Sequence, residues 1–295
     1  MTAAMPSPAL PKAMTARNRR RNALNNAMLT LTGVCAFITV SMLFVILAYL
    51  VYNGGKSVNL DFFTKLPLPT GESGGGMGNA ILGSMEIIFF ATLIGVPVGF
   101  LAGVYLSEFG GKGLPFAVRY VCDLLNGVPS IVIGMFAWIV VVAPLHSYSA
   151  FAGAVALSIM LIPIAARATE QFLQDVPNSM REASLALGAS KWRTIASVIV
   201  PAARKGIMTG MILGVARIAG ETAPLLFTSL NNQYWSTGLK EPTASLPVMI
   251  YTHATAPYDD WHRQAWAAGL VLLGLVLVAN IAARTIISRG ASLPK

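Results

Sequence analysis

Residues 177–201 read PNSMREASLALGASKWRTIASVIVP and form the centre of the longest polar stretch between two apolar runs, Glu170 to Lys205. Pro177 ends the helix before it, and Ser179-Met180-Arg181-Glu182 has the spacing of a capping box. Ala183 to Leu187 then supply a short helix that Gly188 can stop in a left-handed conformation, and Ser190 can cap a second one through Lys191, Trp192 and Arg193 toward Pro201. The expected product is a helix–turn–helix knob with an alanine-rich face, whose small side chains suit docking into a partner's groove. The same residues also describe an amphipathic interfacial loop in which Glu182 merely caps its helix, and at this level both readings stand.

The flanks decide the solvent. The chain has 295 residues, 55% hydrophobic and 11% charged, with a mean hydropathy of +0.64. A soluble domain carries about 25% charged residues, so a membrane protein rather than a water-soluble fold is expected. Six apolar runs reach the ~20 residues of a bilayer crossing, at 29–52, 80–106, 119–142, 149–171, 206–229 and 265–288. An all-α integral membrane protein with six transmembrane helices is expected. It divides into a basic N-terminal arm (1–26), a first transmembrane helix with its outer loop (27–73), a five-helix core (74–288) and a short tail (289–295).

The net charge of +9 points to topology rather than to nucleic acid. With the N-terminus inside, most basic residues fall on the cytoplasmic side, including Lys12, Arg17, Arg19, Arg20, Arg21, Lys112, Arg119, Arg181 and Lys295. Only Lys56, Lys65, Lys240 and Arg263 stay outside, and Arg217 lies within a span. Both termini are thus expected in the cytoplasm, and the arm is expected as disordered chain on the anionic leaflet. The first apolar run, from near Met28, is too long for the core of a secretory signal and should remain as an anchor. Cys35 and Cys122 lie in or beside apolar runs and offer neither a disulfide framework nor a zinc set.

Four spans carry helix breakers: Gly95-Val96-Pro97, Gly127-Val128-Pro129 followed by Ser130, Ile162-Pro163, and Ala223-Pro224. A freed carbonyl in hydrocarbon needs another partner, so four such breaks together suggest a pathway. The intramembrane charges agree. Arg217 near the middle of span five costs roughly 2.5–3.5 kcal/mol on insertion scales, and Glu221 lies four residues later on the same helix face, close enough for an i,i+4 ion pair. Arg167 lies toward the inner end of span four beside Glu170, Glu86 lies early in span two and Asp123 early in span three. A guanidinium binds an oxyanion through paired hydrogen bonds, and a nearby carboxylate keeps it from binding too tightly. A purely structural Arg217–Glu221 ion pair, with Arg167 as an inner-side anchor, fits the spacing as well.

Several motifs occur together in an order that resembles one family. Glu182-Ala183, Gly188-Ala189-Ser190 and Val198-Ile199-Val200-Pro201 resemble the EAA loop of type I ABC importer permeases, with Ser184 where alanine is common. The segment from Ala216 to Leu226, Leu125 to Val132 with Gly134, Gly78 to Ile81 with Gly83, and Ser245 to Val248 with Ile250-Tyr251 resemble the permeases of phosphate-specific importers. The last is more similar to the PstA-type subunit than to its PstC-type partner. The likeness covers roughly residues 74–288. It implies the type I ABC importer permease fold with a cytoplasmic coupling loop of Glu182, Ala183, Gly188, Ala189, Ser190 and Pro201. It also implies a heterodimer with a PstC-like permease, a PstB-like ATPase dimer and a PstS-like phosphate-binding protein outside. Inorganic phosphate would then pass Arg167, Arg217 and Glu221, with Gly127, Pro129, Ser130 and Pro224 as gating or helix-break positions.

No enzyme chemistry competes with this. His146, His253 and His262 lie in outer segments without metal-ligand spacing, and no G-x-x-x-x-G-K-[ST] loop is present. The glycine-rich Gly71–Gly78 stretch lacks the lysine-serine ending and reads as a loop or hinge. ATP and Mg are expected on a partner ATPase, with no cofactor on this chain. The alternative is an ion-gradient-driven anion carrier with Glu221 or Glu86 as the proton-linked group; a weaker one is a membrane scaffold docking a signalling protein.

Overall fold

The computed structural model describes residues 12–69, 72, 74–111, 113–236 and 238–289. The first eleven residues of the arm, Gly71, Lys112 and the tail from residue 290 lie outside the described residues. The chain forms two compact units, residues 1–52 and 53–295. The first is the helix α1 (Lys12–Gly54), whose described side chains are almost all exposed within its own unit. At 43 residues it is about 65 Å long, twice a bilayer core. The arm from Lys12 onward is therefore helical, contrary to the expected disorder. Pro11 is its last proline, and the Ala, Arg, Met and Asn that follow extend a helix already nucleated in the apolar run.

The second unit contains α2 (Leu60–Thr64), α3 (Gly78–Glu108), α4 (Leu114–Gly127), α5 (Ser130–Ala137), α6 (Ala143–Leu145), α7 (Ala150–Gln174), α8 (Asn178–Ala186), α9 (Lys191–Thr194), α10 (Val200–Ala219), α11 (Ala223–Thr228), α12 (Leu246–Ala254) and α13 (Asp259–Arg289). Among the described residues, five helical stretches are long and apolar enough to cross a membrane, and the bent pair Leu114–Gly127 with Ser130–Leu145, taken as one span, makes a sixth.

The central contact is α3 on α7. Gly95 lies against Leu161, Gly99 against Ala165, and Gly103 against Thr169, so the partners advance in step and the two helices run parallel. A Cβ at Gly99 would come within 2.6 Å of the Ala165 Cβ, and one at Gly103 within 2.5 Å of the Ala166 carbonyl. This is small-residue packing of the kind that lets membrane helices approach backbone to backbone. Against an adjoining face of α7, Gly206 faces Phe172, Gly210 faces Ala168 and Gly214 faces Leu161 and Ile164, so α10 runs antiparallel. Ile87, Leu157, Leu161, Ile218 and Leu225 close the middle of the bundle.

Two of the four expected breaks are real. At Gly127-Val128-Pro129 the chain turns by 107°. Val128 is extended (φ −70°, ψ 132°), as a residue before proline prefers, and Ser130 starts the next helix. By contrast α3 runs through Pro97 and α7 through Pro163. Span five is not one helix over 206–229. It starts at Lys191, ends at Ala219, and is followed by the separate α11, in which Pro224 occupies the first turn. Pro201 therefore does not end the loop helix. The π stretch Ile195–Ile199 precedes it and absorbs the missing donor, as the π stretch Trp138–Val142 does before Pro144.

The expected outer loops are also partly folded. Residues 230–264 contain α12, whose Leu246, Val248 and Met249 are buried, and the Ser84 hydroxyl accepts from the Leu246 N–H at 2.7 Å. Phe62 of α2, Met77, Ala80 and Ala267 join the same core.

Candidate functional site

The knob begins at Asn178, because Pro177 already has the extended geometry of an N-cap (φ −56°, ψ 140°). Ser179 consequently lies inside the first turn, no side chain caps the helix, and the expected capping box is not formed. Glu182 is exposed and makes no hydrogen bond or ion pair among the described residues, which removes its reading as a helix cap. The far end matches expectation. Gly188 has φ +81°, its N–H donates to the Leu185 carbonyl at 2.9 Å, and the Ala189 N–H donates to the Ser184 carbonyl at 3.2 Å. Those two bonds define a Schellman turn. The Ser190 hydroxyl accepts from the Arg193 N–H, and the Ser184 and Thr194 hydroxyls meet at 2.9 Å. No α8 side chain is buried, while Leu187 is 89% and Trp192 68% exposed. The knob presents Glu182, Ala183, Leu187 and Trp192 outward, and Ala189 is half-buried behind its turn.

The intramembrane charges separate into two sites. On α7, Arg167 lies 3.0 Å (Nε) from Asp123 Oδ1 and 2.5 Å (Nη1) from Glu170 Oε2. The Glu170 side chain is only 3% exposed and also accepts from Arg119 Nε at 2.8 Å and from Gln174 Nε2 at 3.3 Å. Two guanidinium groups and two carboxylates thus form a neutral network between α4 and α7. Its members Arg119 and Glu170 were not among the expected site residues. Arg119 with Asp123 at i,i+4, and Arg167 with Glu170 at i,i+3, are the trace of it in the sequence.

Arg217 stands apart. Gly210 is level with Ala168 and Gly214 with Leu161, so Arg217 lies about 10 Å farther along the bundle than Arg167. Its side chain is exposed, on a different face from the buried Ile207, Met211, Gly214 and Ile218. The expected ion pair with Glu221 is absent, because α10 stops at Ala219 and Gly220 turns the chain, with the Glu221 N–H donating to the Ile218 carbonyl at 3.2 Å. Glu221 is half-buried in that turn. Among the described residues the Arg217 guanidinium has no ion-pair or hydrogen-bond partner, and it lies level with the middle of α7. Beside it, Pro224 packs on α5, since a Cβ at Gly134 would lie 2.7 Å from its Cα. The break at Gly127, Pro129 and Ser130 is exposed or half-buried on the same helix pair.

The family described as "Binding-protein-dependent transport system inner membrane component" matches residues 95–290. Among similar proteins, the phosphate transport system permease protein PstA of Yersinia pestis is 47% identical over 240 residues, 81% of either chain. That of Haemophilus influenzae is 44% identical over 266 residues, covering 90% of this chain and 94% of the relative. A chain of the MetNI methionine ABC transporter in an inward-facing conformation superposes with a TM-score of 0.56 at 20% identity, over 72% of this chain and 96% of that one. A bacterial ABC transporter involved in import of the acidic polysaccharide alginate gives 0.65 at 15% identity, over 95% and 100%. The family match together with these two likenesses establishes the type I ABC importer permease fold. The chain belongs to the PstA family of the inner-membrane components of binding-protein-dependent transport systems.

Proposed function

We propose that this multi-pass membrane protein is one permease half of an ATP-driven importer of inorganic phosphate. The observation that carries the reading is the likeness to phosphate permeases along nearly the whole chain. A PstC-like permease supplies the other half of the pathway, a PstB-like ATPase dimer binds ATP and Mg and docks at the knob, and a PstS-like protein delivers phosphate from outside. Both termini lie in the cytoplasm.

Within this scheme Arg217 is the anion-attracting group of the pathway. Among the described residues its guanidinium has no carboxylate partner, so an entering phosphate meets an unneutralised positive charge and a bidentate donor. Glu221, in the turn beyond the helix end, limits how long the anion stays. Arg167 has a smaller share, because two carboxylates already hold it. The broken helix at Gly127-Val128-Pro129 and the α5–α11 contact at Pro224 supply the hinge on which the pathway opens and closes.

The test is labelled-phosphate uptake into vesicles containing both permeases and the ATPase, supplied with the binding protein. Uptake that needs ATP supports the reading. Uptake that proceeds without ATP and collapses with the proton gradient replaces it with a gradient-driven carrier.

A further inference from the structure

α8 buries none of its side chains, and apolar packing holds the knob only at its base, where Val176 and Ile195 join Val104 of α3 and Leu173 of α7 in one cluster. Beyond that base the knob is held by Arg181. One guanidinium nitrogen donates to the Val176 carbonyl at 2.7 Å and to Asn178 Oδ1 at 3.3 Å. The other donates to the Leu173 carbonyl at 2.8 Å and to Glu108 Oε1 at 3.0 Å. Leu173 lies in the last turn of α7 and Val176 just beyond its end, while Glu108 is the last residue of α3, 73 positions before Arg181 in the chain. The pair is well shielded, with side chains 20% and 7% exposed. From the other arm of the knob, Lys191 Nζ donates to the Glu108 carbonyl at 2.9 Å and sits 4.2 Å above the Phe109 ring. Phe109 in turn stacks on Tyr105 of α3. Both arms of the knob therefore grip one residue, α8 through its carboxylate and α9 through its carbonyl.

We infer that Glu108 is a positioning residue for transport, tying the α8–α9 knob to α3 so that movement of the knob is delivered to the α3–α7 pair. This rests on the reading of the knob as the ATPase dock. The chain connects the knob directly to α7 and α10 but not to α3, so Glu108, through its carboxylate and its carbonyl, supplies the polar link from both arms of the knob to α3. Because α3 lies against α7 through Gly95, Gly99 and Gly103, a pull on its end travels along a tightly packed pair. Glu108 is also the informative residue to change. Removing its side chain leaves Arg181 three other acceptors, so the knob keeps its anchorage to α7 and loses the carboxylate link to α3, while Lys191 still holds the Glu108 carbonyl until Lys191→Met removes that contact too.

The experiment uses the full assembly in vesicles and records ATP hydrolysed and phosphate moved for the unaltered chain, Glu108→Gln, Glu108→Ala, and Glu108→Ala combined with Lys191→Met. The expected result is that the ATPase co-purifies with every variant and hydrolyses ATP. Phosphate moved per ATP is expected to fall by about fivefold or more in Glu108→Ala, further in the double variant, and less in Glu108→Gln, which keeps an acceptor oxygen. An unchanged ratio in the double variant overturns the inference, as does a parallel loss of hydrolysis and uptake together with a lower unfolding temperature, the mark of a merely structural residue. An ATPase that fails to bind even the unaltered chain overturns the docking reading itself, and the inference with it.

Discussion

Arg119 reaches from α4 to the buried carboxylate of Glu170 on α7, with Nε 2.8 Å from Oε1. The bond crosses 51 residues of sequence and joins the first half of the broken span to the central helix. Since Arg167 and Gln174 hold the same carboxylate, its loss strands two guanidinium groups beside a single remaining acid, Asp123. Removing one partner of a buried pair costs about 3–5 kcal/mol, and the partial exposure of both arginines lowers this to about 2–3 kcal/mol. Glu170→Ala is expected to lower the thermal unfolding midpoint of the purified complex by several degrees. Asp123→Ala, at a more exposed end of the network, is expected to lower it much less.

The α3–α7 contact leaves no room for a side chain at Gly103, where a Cβ would meet the Ala166 carbonyl and the Thr169 Cβ at 2.5 Å each. Both obstacles are close to the backbone, so the helices must separate. Gly103→Ala is expected to destabilise by about 1–3 kcal/mol, measured by thermal unfolding. Gly274→Ala in α13, where a Cβ meets nothing within 4 Å, is expected to be neutral or mildly stabilising.

At Gly188 the reverse holds, with open space around the Cβ position but φ at +81°. Only the backbone resists substitution, and a β-branched residue resists most. Gly188→Val is expected to deform the Schellman turn and cut co-purification of the ATPase severalfold. Gly188→Asn, which tolerates the left-handed region, is expected to retain most of it.

His253 lies outside the spans, buried on α12 with its ring edge-on to Trp261 at 4.4 Å. Burial pushes its pKa down to about 4, from 6.5. The folded state holds it neutral while the unfolded chain protonates it below 6.5, so its contribution to stability is complete above that pH. It is lost as pH falls from 6.5 toward about 4, to a total of about 2–3 kcal/mol. The difference in stability between the unaltered chain and His253→Phe is expected to shrink or change sign across this window as pH falls; a pH-independent difference contradicts the assignment.

The spans were legible because an apolar run of about 20 residues has few alternatives to a membrane helix. The break at Pro129 was legible from the Gly-Val-Pro sequence, but Pro97 and Pro163 look the same in one dimension and sit in unbroken helices. What distinguishes them is the neighbouring helix, which sequence alone does not display. Arg217 with Glu221 failed as a pair because a spacing of four assumes an uninterrupted helix, and Gly220 ends this one. The Arg119–Glu170 bond left only alternating charges at i,i+4 and i,i+3 on two distant segments, and nothing local says that these segments meet. Ser179 misled because Pro177, with φ fixed by its ring, starts the helix one residue before the serine.

The central claim is that Arg217 serves the passing anion rather than the fold. It is tested most directly by ATP-dependent uptake of labelled phosphate through the reconstituted assembly carrying Arg217→Gln. A hydrogen bond to a charged group contributes about 1.5–3 kcal/mol, so uptake is expected to fall about tenfold to a hundredfold while the two permeases and the ATPase still assemble. Uptake at the rate of the unaltered assembly contradicts the account.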